Sequence, residues 1–367
     1  AATPGIRFRR RADLRGAVIA RVLQIGLGFA VSAVAIYFLS QQVSLHDLGE
    51  ALARAQILPI ILIVVMVQAS LVTRAARWQV YFLPDRKVPF GPLLGTLAIS
   101  YMASTFLPLR AGELVRAVFL GQRERLPVPR IVGTILLEKL FDFLAIGVML
   151  LLLVALAPLP DAARAAGVSI GTVILLGFGF VMALALWRAP TLRLVAAVEA
   201  VLPAALRRRL PLHRVVAQFA EGTDSLRVAR LWLPLLGWTV VTWICSVGST
   251  WGGTLALGVS PGMAALLFLI VLTSTGQAVP SSPGYVGVYH AAATLALTAF
   301  GIDTATAIAI AVVTHAFSYG SLVIVGLIAL WTGGYTFADV LSGVRGRRSG
   351  TNPAALKSEP WPLAPDP

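Results

Sequence analysis

Apolar runs of about 20 residues return along almost the whole of this chain, each long enough to cross a bilayer. They are blocks of Leu, Ala and Val, without the strict alternation of an outer-membrane β-strand. Of the 367 residues, 57% are hydrophobic and only 13% charged, and mean hydropathy is +0.83. The fold class that follows is an all-α polytopic membrane protein. The net charge of +14 does not point to nucleic acid, because the Arg residues sit in short blocks between apolar runs. That is the positive-inside pattern of membrane loops. A single cysteine, Cys245, rules out an intrachain disulfide, and the four His residues show no metal-binding spacing. Neither a metal nor another cofactor is expected.

Residues 1–21 carry six Arg and are expected on the cytoplasmic side. Val22–Leu39 reads as an uncleaved first span. The connection Gln41–Gln56 reads as a short amphipathic helix with Leu45, Leu48 and Leu52 on one face. A second span, Ile57–Val72, returns to a basic edge at Arg74, Arg77, Arg86 and Lys87, with Trp78 and Tyr81 at interfacial depth. Ile131–Ala157 and Val168–Trp187 cross next. The basic stretch 188–230 is expected as one or two amphipathic helices on the cytoplasmic leaflet. Leu231–Leu257 and Ile302–Leu330 complete six full spans in a membrane domain at 22–342. The tail, 343–367, is rich in Pro, Gly and Ser and is expected to be disordered. Both termini fall in the cytoplasm and the protein in the cytoplasmic membrane.

Two further apolar stretches break this alternation. If Leu93–Leu107 crossed fully, Arg110, Arg116, Arg123, Arg125 and Arg130 would all lie outside, against the positive-inside rule. A re-entrant hairpin over about 89–122 resolves the conflict, and a second is read at about 262–300. Broken helices at membrane depth are tolerated where protein or a cavity surrounds them. The breaks match: Pro108 and Gly112 are four apart, as are Pro280 and Gly284, and each Pro precedes the next span (at Ile131 and Asp303) by 23 residues. With one hairpin entering from each side, the pattern is that of an inverted repeat whose tips meet near the midplane.

The chemistry-bearing residues cluster at the first break. Arg110 and Arg116 are forked donors suited to phosphate, and the helix start at Pro108–Gly112 offers free N–H groups. Glu113 and Arg116, three apart, could pair with each other. Glu138 and Asp142, four apart, share a face of the following span, with Lys139 off that face. Two readings stand: the charges pair internally and only join hairpin to helix, or they line a pocket that takes phosphate on Arg and an amine on carboxylate. Ionisable groups inside a membrane favour the second. His290 and His315 are either a proton relay or a structural pair. No nucleophile–base constellation, P-loop or sugar-nucleotide motif is visible.

LPLRAGELVR, then LLEKLFDFL, then VPSSPGYVGVYHAA resembles the transmembrane, flippase-like family of lysylphosphatidylglycerol synthases, from about Val22 to Leu330. RAARW (Arg74–Trp78) belongs to the same pattern. The resemblance implies that Arg110, Gly112, Glu113 and Arg116 match one motif. Glu138, Lys139 and Asp142 match a second, with Lys139 where Arg is usual. Pro283, Gly284, Gly287 and Val288 match a third, and Tyr285 stands among them in the expected substrate-lining set. His290 and His315 stand where the family often has Glu and Arg. The family is associated with moving aminoacylated phospholipid between leaflets, and elsewhere with lipid-linked sugar or hopanoid pathways. Only a short polar tail follows the last run, so the transmembrane module is expected without the aminoacyl-transferase domain. The expected function is a flippase-like transporter of a phospholipid or lipid-linked head group, and not an enzyme. The alternatives are a membrane subunit or enzyme of lipid-linked glycosyl transfer, and a scaffold for a lipid-modifying enzyme partner.

Overall fold

The computed structural model describes residues 37, 45–107, 111–157, 161–201, 217, 220–277 and 282–333. Among these the chain is helical, with no strand. A short surface helix, α1 (Leu45–Ala53), precedes α2 (Ile57–Tyr81), α3 (Phe90–Phe106) and α4 (Ala111–Glu124). Then come α5 (Val128–Leu156), α6 (Asp161–Leu186) and α7 (Arg188–Val201). Tight 3-10 turns at Asp224–Arg227 and Ala229–Leu231 lead to α8 (Trp232–Ala256). The chain continues as α9 (Met263–Gly276), a 3-10 turn at Pro283–Tyr285, α10 (Val288–Thr298) and α11 (Thr304–Thr332).

Five described helices (α2, α5, α6, α8 and α11) are long and apolar enough to cross a membrane. The expected first span, Val22–Leu39, lies outside the described residues except for Tyr37, as does the tail. Local chemistry sets several helix starts. Pro129 sits in the first turn of α5, where its missing N–H breaks no bond. The Asp303 side chain accepts from Thr306 N–H at 3.0 Å and caps α11. Two helices depart from expectation, and one of them is α6, which begins at Asp161, seven residues before Val168. The other is the helix of the second span, which does not end at Val72 but runs as α2 to Tyr81, with Trp78 and Tyr81 buried in the protein.

Small residues let the long helices approach. The most extensive packing joins α2 to α8, where a Cβ at Gly252 would lie 3.1 Å from Pro59 O and one at Gly248 3.0 Å from Met66 Sδ. Gly253 faces Thr314 of α11, and Gly326 of α11 faces Ala98 and Met102 of α3. α11 thus forms a central post, touched by α2, α3, α8 and α10. Large apolar side chains such as Leu58, Leu233 and Trp331 point outward, as lipid-facing residues must.

Two pairs of short helices, α3 with α4 and α9 with α10, pack on each other and against the long ones. Their ends come together: a Cβ at Gly284 would lie 3.4 Å from Thr105 O, in the last turn of α3. The turn needs its glycines, since Gly284 has φ 69° and Gly287 φ 90°.

Candidate functional site

Where the helix pairs meet the long helices, they enclose a cavity of about 430 Å³. Its charged wall comes from α2, α4 and α5. The four-residue spacing of Glu138 and Asp142 turns both carboxylates to α2. Asp142 takes Arg77 Nη2 on Oδ1 at 2.8 Å and Arg74 Nη1 on Oδ2 at 3.0 Å. Glu138 Oε2 accepts from Arg116 Nη2 at 2.6 Å, and its Oε1 lies 3.8 Å from Arg74 Nη1. The Arg116 guanidinium also lies 3.6 Å above the Trp78 ring, a cation–π stack. Trp78 is fixed in turn by its indole N–H, which donates to Thr134 Oγ1 at 2.9 Å.

Burial divides this wall in two. Arg77, Arg116 and Glu138 are at most 3% exposed, whereas Lys139 and Glu113, paired at 2.8 Å, remain about one third exposed at 31% and 32%. The closed part is a framework, and the open part faces whatever enters. Every carboxylate on the wall is taken by a cation of the chain itself.

The opposite wall is neutral and polar. Tyr285, Tyr289 and Tyr319 line it with Gln277, Ser274, Thr275 and Ser318. Tyr319 donates its hydroxyl to Gln277 Oε1 at 2.8 Å and stacks on His315 at 4.3 Å between ring centroids. His315 Nε2–H donates to Gly284 O at 2.7 Å, tying α11 to the turn.

The residues expected at the site divide in the structure. Glu113, Arg116, Glu138, Asp142 and Tyr285 line the cavity. Gly112 lies behind it, where the absence of a Cβ lets α4 seat against Ser100 and Ser104; its carbonyl accepts the Ser100 hydroxyl at 2.8 Å. Pro283, Gly284 and Gly287 shape the turn that carries Tyr285. His290 and His315 approach to 4.8 Å between ring centroids behind Tyr289 and Tyr319, and His290 Nδ1 accepts from Gly287 N–H at 3.4 Å, capping α10. Arg110 lies outside the described residues.

Three expectations are corrected. Glu113 and Arg116 do not pair with each other, because the buried Glu138 claims Arg116 and leaves Glu113 to Lys139. Lys139 is therefore not off the site face; the cavity wraps far enough around α5 to include it. Arg74 and Arg77 were expected at the basic membrane edge and instead stand in the charged wall. Their signal was present, since Ser70, Arg74, Arg77, Trp78 and Tyr81 recur at helical spacing on one face of a longer α2.

The model of the lysylphosphatidylglycerol synthase TM region matches residues 25–326. Among curated proteins, the glycosyltransferase AglD of Haloferax volcanii is 29% identical over 257 residues, covering 62% of this chain and 41% of that protein. The chain thus spans about two fifths of that relative's length. No solved structure matches the chain. With the family match running from before α1 into α11, and with its Arg–Glu–Asp motifs joined in one ion-pair network, this chain belongs to the family of the lysylphosphatidylglycerol synthase transmembrane region.

Proposed function

We propose that the protein moves a lipid head group between leaflets through the cavity while the acyl tails stay in the bilayer. The observation that carries this reading is a chamber of about 430 Å³ lined by six charged side chains, three cations and three carboxylates, inside an apolar helix bundle. That volume lies within the roughly 300–1,000 Å³ of small-molecule sites. Ionisable groups at membrane depth are expensive and mark substrate paths.

The short helices fit the same reading. At 1.5 Å per residue, α3, α4, α9 and α10 reach about 26, 21, 21 and 17 Å, short of the ~30 Å hydrocarbon core. We take each pair as a re-entrant hairpin, the two entering from opposite sides as inverted repeats do. Their meeting at Thr105 and Gly284 supports tips that close on one chamber.

A second reading, a membrane module serving lipid-linked glycosyl transfer, is favoured by the similarity to a glycosyltransferase. It requires sugar-nucleotide turnover by the purified protein with a lipid acceptor.

The transport reading is tested in liposomes holding tail-labelled phospholipids, by the fraction an external quencher reaches. Scrambling above empty liposomes is expected, with a loss of about tenfold in Lys139→Met. The Glu113–Lys139 pair is about one third exposed, so its removal leaves the fold intact. Scrambling equal to empty liposomes for every head group overturns the reading.

A further inference from the structure

His290 and His315 stand alone in their half of the molecule. From Leu231 to Ile302, and again from Thr304 to Ala338, the sequence has no Asp, Glu, Lys or Arg. α8, α9, α10 and α11 therefore carry no charged side chain, and the two imidazoles are their only groups that take up a proton near neutral pH. The rings lie 4.8 Å apart between centroids, with Tyr289 at 5.1 Å and Tyr319 at 4.3 Å from His315.

Each ring is tied through one nitrogen to the turn between α9 and α10. His290 Nδ1 must carry a lone pair to accept from Gly287 N–H at 3.4 Å, which puts its proton on Nε2. His315 Nε2 must carry its proton to donate to Gly284 O at 2.7 Å, which in the neutral ring leaves a lone pair on Nδ1. Both bonds land on the glycines of positive φ, and the Tyr285 amide closes the same turn on Ser282 O at 3.0 Å. The closed turn is thus built on two neutral rings of defined tautomer.

A proton has two places to land, and both work against the closed turn. On His290 Nδ1 it removes the acceptor that holds Gly287 N–H. On His315 Nδ1 it makes a cation beside the second imidazole, with no carboxylate to pair with. Of the elements packed on α10 and α11, α3 brings only Tyr101 and α8 only Cys245 as ionisable groups, and α9 brings none. α2 brings Arg74, Arg77 and Tyr81, with both Arg held by Asp142. α1 brings His46, Asp47 and Glu50, with His46 paired to Glu50 at 3.3 Å. The Tyr319 face offsets only part of the cost of burying an unpaired charge. A charged ring is better served by water, and it reaches water only when the turn gives way.

What the turn holds shut is the chamber. Gly284 seats against Thr105 O at the end of α3, where the two short helix pairs meet, and the His315 bond ties that seat to α11. Both rings are half-buried behind Tyr289 and Tyr319, which line the chamber, so the chamber is their route to protons.

Resting on the transport reading above, we infer that the His290–His315 pair is a proton-binding site that couples head-group movement to protons. One proton taken up by the pair frees the turn from α11 and parts it from α3, and loss of that proton closes the turn again.

The full chain in detergent, with His46 and His213 replaced by Gln so that only these two imidazoles remain, tests this through nitrogen-15 shifts of the rings and hydrogen exchange of the turn amides. At about pH 8 both rings are expected as neutral Nε2–H tautomers. Between about pH 8 and 4 one proton is expected to enter the pair. Exchange of the Tyr285 and Gly287 amides, corrected for its intrinsic pH dependence, should then rise about tenfold, as for one lost hydrogen bond, while α8 amides keep their protection. The double variant His290→Asn, His315→Gln retains an acceptor for Gly287 and a donor for Gly284 but binds no proton, so its turn exchange should be flat over the same range. If it fails to fold, the ring shifts and turn exchange of the parent chain decide alone. Rings that stay neutral throughout, a proton that leaves the turn amides unchanged, or a rise that persists in the double variant overturns the inference. In liposomes, scrambling should rise with acid in the native chain and not in the double variant, and scrambling indifferent to pH while the turn opens overturns the coupling. Proton-driven opening without scrambling at any pH overturns the transport reading and leaves the proton site standing.

Discussion

Arg116 shows how much of the site is framework. Its guanidinium touches the buried Glu138 carboxylate at 2.6 Å and stacks on Trp78 at 3.6 Å. Arg116→Met leaves Glu138 buried with only the more distant Arg74, and should destabilise by about 3–5 kcal/mol. The double variant Arg116→Met, Glu138→Gln removes both charges and should recover most of that loss. Thermal unfolding in detergent checks the pair, and simple additivity of the two single changes would contradict it. The motif residues of this network were legible in the sequence, because charges so close to apolar runs had few places to go. Their pairing was not. Glu113 and Arg116 stand at ideal helical spacing, and only the arrival of α5 decides that Glu138 displaces Glu113. The histidines show the same limit: their positions were visible, but the backbone groups that occupy His290 Nδ1 and His315 Nε2 come from the fold.

At the scale of elements, hydrophobic length and proline breaks located most of the described helices to within a few residues. The largest exception is informative. α2 was cut short at Val72 because Arg74 and Arg77 looked like a membrane edge, yet partners on α5 let the helix carry both Arg into the protein interior. Hydropathy weighs a charge without knowing its counter-ion. Glycine contacts were equally invisible. Gly112→Ala pushes a methyl group into Ser100 O and the Ser104 side chain, so it should part α3 from α4 and lower the unfolding temperature by several degrees. Gly49→Ala on α1 meets nothing within 4 Å and should instead stabilise slightly, by up to about 1 kcal/mol. Both are read from the same melting curves, and equal shifts would show that the α3–α4 contact does not govern stability.

For the whole molecule, the distribution of Arg predicts an orientation with both termini in the cytoplasm. Replacing Cys245 with Ser and adding single cysteines at Ser358 and at Ala162 provides the check. An impermeant thiol reagent applied to intact cells should label position 162 and spare 358; the reverse pattern would invert the topology. The ion pairs also impose an order of assembly. Arg74 and Arg77 leave the ribosome 68 and 65 residues before Asp142. Until α5 emerges, the second half of α2 carries two cations with no counter-ion, and lipid is a poor solvent for them. The nascent α2 should therefore wait shallow in the insertion machinery and seat fully only when α5 enters beside it. Arrested chains ending before Glu138 should leave α2 extractable by alkali, and chains extended past α5 should hold it firmly. Membrane entry of this protein would then be a cooperative event of paired helices rather than a procession of single ones.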